Sequence, residues 1–151
     1  MLTDIPGFTA FHVVLSLLAL TIGIVAVADL FSAGLPRFWT RLFLTLAALV
    51  SLTGFMFPFE GVTPAFGTGI VASIILSAVF ANHYFGRYAG KVYAGGIVAS
   101  VYLMVFVTIA QIFDKTTVLA QTPLSQPAFA ITQLATLVSF VVLGKRATRL
   151  R

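Results

Sequence analysis

The stretch Val92–Phe113, VYAGGIVASVYLMVFVTIAQIF, runs for 22 residues without a charged side chain. A helix rises 1.5 Å per residue, so about 20 apolar residues cross the roughly 30 Å hydrocarbon core of a bilayer, and this stretch is read as a membrane span. Working outward, three more segments of the same kind appear. Phe8–Ala28 is 21 residues long with His12 as its only ionisable group, Leu42–Phe59 is 18 and Gly61–Asn82 is 22. The last uncharged stretch, Thr116–Gly144, is too long for one helix and is divided by Pro123 and Pro127. Proline fits a loop or the first turn of a helix, which places the fifth helix from about Ala128 to Gly144, short but sufficient if it stands upright.

Composition agrees. Hydrophobic residues are 60% of the 151 and charged residues 9%, against about 45–50% and 25% in soluble domains, so a soluble fold is excluded. A β-barrel is excluded as well, because it needs alternating segments of about ten residues, whereas these runs are continuous and twice as long. The expectation is an all-α integral membrane bundle, a single domain over residues 1–151. Its five transmembrane helices lie at approximately 8–30, 39–58, 65–84, 92–113 and 128–145.

Charge sets the expected orientation. Arg37 and Arg41 fall between the first two helices, Arg87 and Lys91 between the third and fourth, and Lys145, Arg146, Arg149 and Arg151 after the fifth. Five spans bring these eight of nine basic residues to one side, with only Lys115 opposite. The positive-inside rule then puts the N-terminus outside and the C-terminus in the cytoplasm. Asp4, Glu60 and Asp114 lie on the outer side in the same frame. The net charge of +5 becomes a cytoplasmic collar facing anionic headgroups. It is not a nucleic-acid surface, since no basic stripe with interleaved aromatics lies off the membrane. The N-terminal segment carries Asp4 and no basic side chain, unlike a cleavable export signal, and is read as a retained helix.

Aromatic residues mark the two ends. Trp39, Tyr84, Tyr88 and Tyr93 cluster at the expected cytoplasmic ends, as amphipathic rings do at an interface. The outer ends are rich in phenylalanine instead, notably Phe55, Phe57, Phe59 and Phe66 around Pro58 and Pro64, which suggests anchoring or a greasy surface for a lipid, a quinone or a partner helix. The pentapeptide Gly-Ile-Val-Ala-Ser occurs at Gly69–Ser73 and again at Gly96–Ser100. Small residues four apart allow helix backbones to approach closely in lipid, so two adjacent helices using the same packing device are expected.

Ionisable groups inside a bilayer are functional candidates because uncompensated charge there is costly. Two polar groups emerge. Toward the cytoplasm, Asp29, Arg37, Arg41 and His83 stand at a similar depth and suggest an ion pair or hydrogen-bonded cluster, or a proton-handling site. Toward the outside, His12, Thr53, Glu60, Gln111 and Gln133, with Thr132 beside it, are candidates for a polar vestibule under the Phe-rich rim. Several chemistries find no footing. With no cysteine, thiol redox and thiolate metal sites are impossible. His12 and His83 are expected in opposite leaflets, so one copy cannot hold a bis-histidine haem. No His/carboxylate cluster has metal-ligand spacing, no Gly-x-Ser-x-Gly elbow is present, and no phosphate-binding loop exists. No cofactor is expected.

Two motifs, SLTGFMFPF at Ser51–Phe59 and TPLSQPAFAITQL at Thr122–Leu134, resemble those of a group of small, uncharacterised bacterial integral membrane proteins. The likeness extends to Val101–Val107 and to the histidine of the first helix. It implies a multi-pass protein of the bacterial inner membrane and draws attention to the outer ends of helices two and five. The expected function is a non-enzymatic structural or accessory component that binds lipid or a membrane partner, with a homo-oligomer possible. The alternative is a small transporter, channel or ligand-binding protein using the outer vestibule.

Overall fold

Long charge-free runs leave the backbone no partner in lipid but itself, and a helix satisfies every interior N–H and C=O within one segment. The computed structural model describes residues 6–32, 38–58, 61, 64–84, 90–116 and 125–150, and among them all regular structure is helical. The helices are α1 (Pro6–Phe31), α2 (Phe38–Gly54), α3 (Pro64–Tyr84), α4 (Lys91–Lys115) and α5 (Ser125–Arg149). Three of them, α1, α4 and α5, are long and apolar enough to cross a membrane. The apolar segments Phe38–Gly54 and Phe66–Asn82 are shorter.

Two boundaries differ from the sequence expectation, in opposite senses. Helix α2 stops at Gly54 rather than near Pro58. Glycine is a poor helix former, and the residue ahead of a proline is pushed out of the helical region. The chain leaves through tight turns instead, with Met56 N–H donating to Thr53 O (3.2 Å) and Phe57 N–H to Gly54 O (3.4 Å). Helix α5 is longer than expected, 25 residues instead of about 17. Pro127 does not delay its start, because the first four N–H groups of a helix have no internal partner and one may be missing at no cost. At the far end Arg146 and Arg149 lie in the last turn, where positive charge complements the C-terminal end of the helix dipole.

Neighbouring helices run antiparallel. Along α4 and α5, Phe113 meets Phe129, Gln133 meets Phe106, Phe140 meets Tyr102, Gly144 faces Val98 and Thr148 faces Gly95. Helix α4 also packs against α3 and α1, and α2 packs against α1 and α3. Helices α1 to α4 thus close a ring, and α5 lies along the outer flank of α4. The core inside the ring joins Ala26 and Leu30, Phe43, Leu44 and Ala47, Leu76 and Val79, and Ile97 and Val101. The alternation gathers Arg41, Lys91, Lys145, Arg146 and Arg149 at one end of the bundle, and His12, Thr53, Asp114 and Lys115 at the other.

Two glycines make the ring possible. A Cβ on Gly23 would lie 2.8 Å from Phe43 Cε2 and 2.9 Å from Val101 Cγ2, and one on Gly96 would collide with Val79 Cγ2. The repeated pentapeptide is therefore used once. Gly96 carries the α3–α4 contact, while a Cβ on Gly69 would meet only Phe55, at an ordinary 3.7 Å.

Hydroxyls are handled locally. Ser16, Thr21, Thr45, Ser73, Ser77, Thr108, Thr132, Thr136, Ser139 and Thr148 each donate to the carbonyl four residues earlier. A hydroxyl bonded in this way can face hydrocarbon without an unpaired donor. Ser100, buried in α4, is an exception whose Oγ has no partner.

Candidate binding site at the His12 end

His12 lies two turns into α1, and its Nδ1 is 2.8 Å from Thr53 Oγ1, in the last turn of α2. The threonine hydroxyl reaches Leu49 O (2.8 Å) and Val50 O (3.1 Å). It has one proton. Both carbonyls are acceptors only, so with the hydroxyl donating to its own helix, as those of Ser16 and Thr21 do, Nδ1–H is the donor to Thr53. That tautomer leaves the Nε2 lone pair open, and Nε2 has no hydrogen-bond partner among the described residues. The imidazole is half-buried. Phe57 packs edge-to-face on it at 5.2 Å between centroids, and Phe8 packs on Phe57 at 5.2 Å. The early end of α2 shapes this arrangement, because the turn that follows Gly54 folds Phe57 back onto α1.

Two further phenylalanine pairs form at this end. Phe55 meets Phe66 at 5.9 Å across α2 and α3, and Phe113 meets Phe129 at 5.5 Å across α4 and α5. The Phe-rich rim is thus a set of stitches between successive helices.

Gln111 and Gln133 do not join this pair. Gln111 is exposed. Gln133 is buried between α5 and α4, where its Nε2 donates to Phe106 O at 3.0 Å and its Oε1 is left without a partner. Thr132 is exposed and bonded to Ala128 O. Glu60 lies outside the described residues. His12 and Thr53 form one pair on α1 and α2, and Gln133 belongs to the α4–α5 seam.

At the opposite end Asp29 and Arg41 form no ion pair. Asp29 is half-buried with Oδ2 enclosed and unpartnered, while Arg41 is exposed. The buried stripe of α2 is Thr40, Phe43, Leu44 and Ala47, and Arg41 projects outside it. Asn82 Oδ1 is a second enclosed oxygen without a partner at this end. Arg37 lies outside the described residues, as does the side chain of His83. Among the described residues no three of His, Asp and Glu come together.

One feature had no sequence signal beyond a tyrosine in mid-span. A groove of about 310 Å³ opens between α3 and α4, lined by Gly67, Thr68, Val71, Tyr102, Leu103 and Phe106. It lies on the His12 side of the close contact between Gly96 and Val79. Tyr102 is held by Phe106 (6.1 Å) and Phe140 (5.7 Å). Comparison of the chain with protein-family models, with characterised proteins and with solved structures finds no match in any of the three.

Proposed function

We propose that the chain is a five-span protein of the bacterial inner membrane, N-terminus outside and C-terminus cytoplasmic, acting as a non-enzymatic accessory component that binds lipid or a membrane partner. The observation that carries this reading is α5. It packs along α4 and turns Ile131, Leu134, Val138, Val141 and Val142 outward, an apolar face that water would not tolerate. The open groove beside Tyr102 adds a second apolar surface of a size suited to an acyl chain. The resemblance of the SLTGFMFPF and TPLSQPAFAITQL motifs supports the bacterial inner-membrane location.

The absence of cysteine makes the test clean. Single variants Leu134→Cys and Val138→Cys in native membranes should cross-link to a partner or a second copy, or else report lipid contact through a spin label quenched by oxygen. Ala47→Cys and Val101→Cys, inside the ring, should resist water-soluble maleimide. Rapid labelling of those core positions would reveal a water-filled pathway and overturn the accessory reading in favour of a channel. A ligand-binding reading is favoured by one observation, the unpartnered Nε2 of His12.

A further inference from the structure

The His12 site has the parts of a receptor for one kind of group. Its tautomer is held from behind by the chain Leu49 O, Thr53 hydroxyl, His12 Nδ1, so the ring presents a fixed acceptor rather than a rotating donor–acceptor pair. The imidazole is half-buried, with Phe57 edge-to-face beside it and Phe8 packed on Phe57. In hydrocarbon, an acceptor without a partner calls for a donor. The site itself offers an anionic ligand no partner, since its described side chains, His12, Thr53, Phe57 and Phe8, carry no cation when the imidazole is neutral. A neutral molecule with a hydroxyl on an aromatic ring fits both halves of the site, since O–H can donate to Nε2 while the ring packs against phenylalanine edge-to-face or offset. Such a molecule must be dissolved in the membrane to reach this depth.

We propose that His12 Nε2 and the Phe8–Phe57 pair bind the ring hydroxyl of a membrane-dissolved hydroquinone. The proposal concerns binding alone and rests on the reading that α1 and α2 lie in a bilayer. It names one ligand for the lipid-binding surface inferred above. The oxidised quinone has carbonyls where the hydroquinone has hydroxyls, so it offers His12 no donor. The site should therefore discriminate between the two forms by one hydrogen bond, about two- to tenfold in affinity.

The experiment uses the full chain in phosphatidylcholine nanodiscs with ¹⁵N-labelled histidine, the His12 signals assigned by their loss in His12→Gln. The free protein should show Nδ1 protonated and Nε2 bare. Decylubiquinol should shift the Nε2 resonance upfield in a saturable way, and decylubiquinone should bind about two- to tenfold more weakly without that shift. Thr53→Val should weaken decylubiquinol binding by a similar factor and mix the tautomers, while Thr53→Ser, which keeps the hydroxyl, should restore both. The opposite tautomer in the free protein, equal affinity for the two forms, or no response to either would overturn the proposal. None of these outcomes depends on sidedness or on what touches α5, so failure here is distinguishable from failure of the accessory reading.

Discussion

At the scale of single residues, the repeated pentapeptide gives the sharpest contrast. Gly96→Ala places a methyl group against buried Val79, and overpacking of this kind costs about 1–3 kcal/mol. Gly69→Ala meets only a distant Phe55 ring and should leave stability unchanged. Reversible unfolding in detergent micelles checks both, and Val79→Ala added to Gly96→Ala should recover part of the loss through their coupling. Identical strings at Gly69 and Gly96 were legible as packing devices, but which one works depends on the residue across the interface. His12 was likewise legible as an unusual group in an apolar run. Its partner Thr53, 41 positions away, was one of several polar residues at the same expected depth, and only packing selected it.

At the scale of elements, α5 departs most from expectation. Its prolines suggested a late start, yet proline in a first turn removes only a donor that has no internal acceptor. Its attachment to α4 is continuous from Phe129 to Thr148, and Gln133 adds one hydrogen bond in that seam. Gln133→Leu should cost little, about 0.6 kcal/mol and no more than about 1.7, because Phe106 O is a helical carbonyl and the change also removes the enclosed Oε1. A loss of several kcal/mol in the same unfolding assay would mean that Gln133 has a further partner. The Phe pairs at the His12 end were visible in sequence as a concentration of rings. That Phe55 pairs with Phe66 and Phe113 with Phe129 across neighbouring helices was not, since composition carries no information on which helix lies next to which.

At the scale of the whole molecule, the ring of α1 to α4 with α5 on its flank brings Arg41, Lys91, Lys145, Arg146 and Arg149 to one end of the bundle. Topology reporters test the five-span reading directly. Fusions ending after Arg37, Arg87 and Arg149 should be active with a cytoplasmic reporter, and fusions ending after Glu60 and Val118 with a periplasmic one. The Glu60 fusion decides the matter, because α2 and α3 are the two shorter apolar helices. If only α1, α4 and α5 cross, Glu60 reports from the cytoplasm while the other four are unchanged.

Sequence alone determined the helical class and the five helices seen among the described residues. Both follow from a local rule: where water is absent, a long charge-free run satisfies its own N–H and C=O groups only as a helix. Tertiary structure decided the rest: that Thr53 rather than Gln111 or Gln133 meets His12, that Asp29 and Arg41 stay apart, and that a groove opens beside Tyr102. In helices apolar around their whole circumference, periodicity does not mark an inward face. The facing residues are chosen by close packing at small side chains such as Gly23 and Gly96, and that choice is made between helices rather than within one.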